Sequence, residues 1–315
     1  MNKVYLGLDI GGTKCAALLG RREENGFAIL ERVQLPTEGS AAQMLEKLFS
    51  AAEEIIRRTG EKPAACGISC GGPLNSKTGM ILSPPNLPGW DEVPVVKMAE
   101  DRFQIPAELQ NDANACALAE WMFGAGQGSE NMVFLTFGTG MGAGLVLGGK
   151  LYDGACGMAG EVGHMRLADR GPIGYGKAGS FEGFCSGGGI ADLAKLMLAE
   201  TEENSVLKEK QTAVTAKDVA EAATAGDALA KKIISVSARH LGKGLALLVD
   251  VLNPEKIIIG SIFARCEGLF REEMEAVLHE EALSCSVKAC KVVPAGLGER
   301  IGDYAALCVA AYGTM

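Results

Sequence analysis

Two short turns carry the residue types that handle phosphate. The first is Asp9-Ile10-Gly11-Gly12-Thr13-Lys14 and the second Gly138-Thr139-Gly140-Met141-Gly142. Each lies between two apolar segments of strand character, residues 4–9 and 15–20 around the first and residues 133–137 and 143–147 around the second. Residues without Cβ let successive N–H groups converge on an anion. Thr13 and Thr139 add a hydroxyl donor at each tip, while Lys14 can equally point to solvent. Either turn alone reads as well as an ordinary tight hairpin. The two copies in separate halves suggest two related lobes, each presenting backbone amides.

Phosphoryl transfer asks little covalent chemistry of a protein. It needs the phosphates and Mg²⁺ held, and a base aimed at the acceptor hydroxyl. Asp9 could hold Mg²⁺ through water, and Asp112 in Gln110-Asn111-Asp112-Ala113-Asn114 is the candidate base. Asn-Asp pairs also cap helices. With Asn114 as the expected cap of a helix over 115–123, Asp112 is free to accept a proton and Asn111 to bond a neighbouring hydroxyl. A third stretch runs from Glu161-Val162-Gly163-His164 to Glu182, with glycine at every second or third place. By composition alone it suits metal, phosphate or sugar.

These groups must be positioned by a scaffold of α/β character. Residues 41–59 carry Met44, Leu45, Leu48, Ala52 and Ile55 at helical spacing, with Gly60 where a C-terminal cap belongs. Residues 64–69 read as a strand, followed by a Gly-, Pro- and Asn-rich loop to about residue 91. Residues 227–252 form a long helical pattern, then Asn253-Pro254 and a buried strand over 256–260. A last helix near 302–313 is expected to pack back on the first lobe. The expected division is 1–114 for the N-terminal lobe, joined by the helix at 300–315, and 115–299 for a larger second lobe.

A chain of 315 residues, 48% hydrophobic and 22% charged, has the length for two lobes and the balance of a soluble protein. Net charge −9 without a Lys/Arg cluster excludes the electrostatics of nucleic-acid binding. The longest uncharged stretch, residues 132–149, holds six glycines, so strand-turn-strand is expected there rather than a membrane helix. The apolar run at the start is too short for a secretory signal, and a cytoplasmic protein is expected. Ten scattered cysteines without a C-x-x-C are expected to be free, buried thiols.

In their order, Asp9-Ile10-Gly11-Gly12-Thr13-Lys14, Asn111-Asp112-Ala113-Asn114, Gly138-Thr139-Gly140-Met141-Gly142, Glu161-Val162-Gly163-His164 and the loop with Glu182 resemble the ROK family (repressor, open reading frame, kinase). The resemblance covers nearly the whole chain. It implies the sugar kinase/Hsp70/actin superfamily fold, two RNase H-like α/β lobes around a central cleft. It also implies an ATP-dependent hexose kinase acting on the 6-hydroxyl of an aldohexose, with glucose first and an N-acylhexosamine such as N-acetylmannosamine or N-acetylglucosamine second. Asp112 then matches the general base. Asn111, Asp112, Glu161, His164 and Glu182 match sugar-contacting positions, with Gly72 and Asn86 from the first-lobe loop. Gly11, Gly12, Thr13, Lys14, Gly138, Thr139, Gly140, Gly142 and Gly260 fall on the nucleotide side with Asp9. Ser261 departs from the glycine pair usual after the last core strand. A homodimer is implied as well.

One departure bears on metal. ROK kinases place three cysteines in a C-x-C-G-x-x-G-C-x-E pattern, where they bind zinc with the histidine of E-x-G-H. Here those positions are Ile173, Tyr175 and Ser180. One histidine does not make a structural zinc site, and Cys185 nearby brings the donors only to two, so no zinc is expected. The loop is expected to keep its sugar-contacting shape with Tyr175 and Phe181 packing where the cluster would stand. ROK members also include sugar-responsive repressors with a DNA-binding head. Eight residues ahead of Asp9 and an acidic balance argue against that role, leaving a non-catalytic sugar sensor as the second class of reading.

Overall fold

The computed structural model describes residues 3–315. Two five-stranded sheets organise it. The first contains β1 (Val4–Ile10), β2 (Lys14–Glu23), β3 (Gly26–Pro36), β4 (Cys66–Cys70) and β5 (Ala107–Asn111), in the spatial order β3-β2-β1-β4-β5. The second contains β6 (Met132–Phe137), β7 (Met141–Leu147), β8 (Lys150–Leu151), β9 (Lys256–Ile259) and β10 (Lys291–Pro294), in the order β8-β7-β6-β9-β10. Both therefore have an antiparallel meander of the first three strands followed by two parallel strands. The two glycine turns occupy equivalent places, between the first and second strand of each sheet. The repeated hairpin foreseen in the sequence extends to the complete sheet topology.

The helices follow their apolar spacing. α1 (Ala41–Thr59) buries Met44, Leu45, Leu48, Ala52 and Ile55, and stops at Gly60, whose φ of 68° closes the cap through its N–H to the Ile56 carbonyl. Ser40 and Gln43 close its N-terminus as a capping box. α2 (Asp112–Phe123), α3 (Ala228–Leu252), α4 (Ser261–Glu281) and α5 (Ile301–Tyr312) complete the main elements. α5 buries Tyr304 through Ala311 and lies against β1, β4 and α2. Close approach needs a missing side chain: a Cβ on Gly67 of β4 would overlap the Ala306 carbonyl. α2 lies as closely on the second sheet, where a Cβ on Gly144 would stand 2.5 Å from the Ala113 carbonyl.

The start of α2 differs from the expectation. Asn114 is not its cap. The helix begins at Asp112, and Asn111 is the cap, accepting the Asn114 N–H at 2.7 Å. Asn114 lies buried in the first turn, its Nδ2 donating to Gln110 at 3.1 Å. An Asn at the strand end satisfies the first-turn donors sooner than one three residues later. The thiols are free, with Cys15, Cys66, Cys70, Cys185 and Cys308 buried, but Cys156 and Cys285 are exposed, contrary to the expectation of buried thiols throughout. Among the described residues no helix is long and apolar enough to cross a membrane.

Candidate active site

β1, β4 and β5 run parallel and in register, so their carboxyl ends converge: Asp9 stands opposite Ser69, and Cys70 opposite Asn111. This is where open α/β sheets place ligands. Asp9 and Asp112 meet there. Burial, then the charge of Asp112, pushes the Asp9 carboxyl up to about 6, against smaller opposing pulls from Arg32, Lys14 and Ser69. Asp112 is also raised, chiefly by the protein packed around it, although its own N–H and that of Ala113, donating at 2.8 Å, lower it. Solvent still reaches the Asp112 side chain, which moderates that shift and leaves the carboxylate open to a ligand.

The glycine turns flank this pair. In the first, the Gly11 N–H donates to the Lys14 carbonyl at 3.1 Å, and the Thr37 hydroxyl donates to the Gly11 carbonyl at 2.6 Å. Gly12, Thr13 and Lys14 are exposed. Asn86 packs directly on Gly12, where any Cβ would overlap it, so the long loop reaches the tip. In the second turn, the Gly138 N–H donates to the Gly140 carbonyl at 3.1 Å, and the Gly187 N–H to the Gly138 carbonyl at 2.7 Å. Thr139 is exposed, and the Thr136 hydroxyl accepts the Gly142 N–H at 2.9 Å. Ser261, with a left-handed φ of 54°, turns its hydroxyl toward Gly138. Gly260 is buried against Phe134 and donates to the Leu135 carbonyl at 2.9 Å.

The third stretch closes over the same place. Glu161 opens a single helical turn, Val162–His164. Burial raises its pKa; His164 lowers it, and Asp112 and Glu182 raise it further. His164, Asp112 and Glu182 thus all lie close to Glu161. Glu182 sits in the short helix Phe181–Phe184, capped by Ser180, and its Oε2 accepts the Met141 N–H at 3.0 Å. Of the two loop residues expected nearby, Asn86 reaches the site through Gly12, whereas Gly72 faces open space, nearest the Leu74 N–H at 3.9 Å.

Zinc does not suit these donors. Ile173 has none, and Tyr175 stacks on His164 with ring centroids 3.9 Å apart and planes 21° from parallel. The Ser180 hydroxyl is buried, accepting the Gly183 N–H at 3.1 Å and donating to the Gly174 carbonyl at 3.3 Å. The Cys185 thiol donates to the Ser237 carbonyl at 3.4 Å. Mg²⁺ suits the Asp9 carboxylate better, being a hard cation that takes one or two carboxylates with waters and phosphate oxygens. The bracing by Thr37 has no signal in the sequence, whereas Ser261 stands where the ROK resemblance expects glycine and Tyr175 is expected to pack in a ligand position; the left-handed angle at Ser261 and the stack on His164 are seen only in the structure.

The ROK family model matches residues 5–311. The chain is 37% identical over 267 residues to a glucokinase of Halalkalibacterium halodurans, covering 81% of this chain and 79% of that one. It is 34% identical over 265 residues to an N-acetylmannosamine kinase of Escherichia coli, covering 84% of each. Two solved structures superpose on almost all of it. A Streptomyces griseus ROK glucokinase in complex with glucose and AMPPNP gives a TM-score of 0.78 at 31% identity, over 98% of this chain and 99% of that one. A ROK family transcriptional regulator homologous to the E. coli MLC protein gives 0.88 at 25% identity, over 99% and 78%. The paired sheets are those of the sugar kinase/Hsp70/actin fold, and this chain belongs to the ROK family.

Proposed function

We propose that this protein is an ATP-dependent hexose kinase that phosphorylates the 6-hydroxyl of an aldohexose, glucose first. The observation that carries the reading is the meeting of Asp9 and Asp112 between two glycine turns, with Glu161 close to Asp112, His164 and Glu182. Asp112 is the general base, its raised pKa giving it affinity for the hydroxyl proton in the transition state. Asn111 keeps its Nδ2 for a sugar hydroxyl, since its oxygen caps α2. Glu161, His164 and Glu182 bond the remaining hydroxyls, and a sugar lacking one leaves a buried polar group unpaired. Gly11 to Lys14 and Gly138 to Gly142 receive the phosphates, with Gly260 and Ser261 on the nucleotide side. Mg²⁺ would neutralise the phosphate charge beside Asp9. Residues 1–114 with 300–315 form one lobe and 115–299 the other, each holding one sheet; the working form is a cytoplasmic homodimer.

Two observations favour other readings. The N-acetylmannosamine kinase relative is nearly as similar as the glucokinase, which favours an N-acylhexosamine as the second substrate class. The likeness to a transcriptional regulator favours a non-catalytic sugar sensor. A coupled ADP-release assay across glucose, mannose, allose, N-acetylglucosamine and N-acetylmannosamine separates the three. The kinase reading expects turnover of glucose and a loss of roughly 10²–10⁴-fold in Asp112→Asn. No turnover of any sugar, or full turnover in the variant, would falsify it.

A further inference from the structure

The loop that meets the sugar-side carboxylates has a tip that local preferences do not explain. Residues Ile173–Gly174 and Lys177–Ala178 pair as a two-stranded hairpin, joined by Tyr175 and Gly176. Both tip residues are left-handed, with φ of 52° and 69°. That is the backbone of a type I′ turn, whose first central position favours asparagine, aspartate or glycine. A tyrosine there is strained, and such strain persists when something else fixes the residue. What fixes it is His164, on which the ring lies stacked at 3.9 Å. Lys177, two residues on, adds a second tie by donating its Nζ to the His164 carbonyl at 2.7 Å. The ring also lies 3.3 Å from where a Cβ would stand on Gly163, so it packs on both residues of the Gly163-His164 pair. Yet it remains 51% exposed, with its hydroxyl close to Glu182 and Glu161.

We propose that Tyr175 is a positioning residue for the hexose: its stack on His164, in place of a bound metal, fixes the orientation of the imidazole and joins the 173–178 hairpin to the sugar-contacting turn. This rests on the kinase reading for its kinetic consequence but not for its structural one. A ring stacked on imidazole contributes orientation without coordination, and a half-exposed ring face beside three carboxylates is a surface that a bound sugar would cover.

Tyr175→Asn and Tyr175→Phe test it together. Asparagine suits the left-handed tip and removes the stack; phenylalanine keeps the stack and removes the hydroxyl. For Tyr175→Asn the expected result is a melting temperature unchanged or higher, with KM for the hexose raised about fivefold and KM for ATP unchanged. Tyr175→Phe should keep the wild-type KM for the hexose. In ¹H–¹³C spectra of the three histidines, the His164 ring signals should be displaced by the tyrosine ring current, shift in Tyr175→Asn and stay in Tyr175→Phe. Stoichiometric zinc in the purified protein by elemental analysis, or a Tyr175→Asn variant with both the His164 signals and the hexose KM of wild type, overturns the proposal. If the wild type turns over no sugar, the kinase reading fails, while the spectra and metal analysis still decide the stack.

Discussion

Oε2 of Glu182 accepts the backbone N–H of Met141 at 3.0 Å, so the glycine turn assigned to phosphate and the loop assigned to sugar share a hydrogen bond. The contact depends on the glycine beside it, because a Cβ on Gly140 would stand 2.7 Å from that same oxygen. The carboxylate is the free end of a side chain, so it would move in preference to the backbone.

Gly140→Ala should therefore break this link without unfolding the protein. A hydrogen bond to a charged group contributes about 2 kcal/mol, which corresponds to roughly a thirtyfold loss in kcat/KM if the link serves the transition state. The melting temperature should fall by a few degrees, since the lost bond also belongs to the resting fold. Steady-state kinetics with the hexose and with ATP varied in turn would read it; unchanged constants for both substrates would mean that the two loops work independently.

Asp9 makes a prediction about pH. Its folded pKa, raised from 3.8 to about 6, exceeds its unfolded value, so folding favours the protonated form. The stability this gives is fully present below about pH 4 and is lost as pH rises through about 6. Asp9→Asn, which cannot ionise, should therefore be more stable than wild type above pH 7, by up to about 3 kcal/mol, and gain nothing below pH 4. Thermal melts of both proteins across pH 4 to 8 would measure the difference. The same variant should lose activity at every pH, since a neutral amide holds a cation poorly. A stability difference that does not depend on pH would mean that Asp9 stays ionised throughout.

The elements were legible where a local pattern decides them. Met44, Leu45, Leu48 and Ile55 with Gly60 placed α1, and the paired glycine turns announced two sheets whose strand orders match. The start of α2 was misread because Asn111 and Asn114 offer the same capping chemistry, and only the strand end at Asn111 decides between them. The meeting of Asp9 with Asp112 depends on parallel register across more than a hundred residues, which no local spacing encodes. The bracing of the site rests on backbone angles at Tyr175 and Ser261 that neither residue type prefers. Such angles are imposed by tertiary contact; the sequence shows that Ser261 stands where glycine is usual and that Tyr175 fills a ligand position, but not the angles themselves.

Ser261 offers a direct test of that last point. Its φ of 54° is comfortable for glycine and strained for serine, at the first residue of α4 and facing Gly138. Ser261→Gly should relieve the strain and stabilise the fold by about 1 kcal/mol, less the entropy glycine adds to the unfolded chain. If the hydroxyl contacts the nucleotide, KM for ATP should rise in the same variant while KM for the hexose stays constant. A destabilised variant would mean that the serine side chain makes a contact whose loss outweighs the relief.

Glu120 ties the two sheets together at the point where the chain returns from the second to the first. Fully buried near the end of α2, it accepts the Ala125 N–H at 2.8 Å and the Gly296 N–H at 3.0 Å on Oε2, and the Leu297 N–H at 2.9 Å on Oε1. Gly296 and Leu297 belong to the segment that carries the chain from β10 to α5, the helix packed on β1 and β4. An amide in place of the carboxylate turns a donor toward at least one of these donors. Glu120→Gln should therefore lose about 2 kcal/mol and Glu120→Ala about 4, because three buried N–H groups are then left without an acceptor. Urea denaturation followed by circular dichroism gives both values. If α5 is held mainly by its packing on Gly67, the two variants will unfold at the wild-type midpoint.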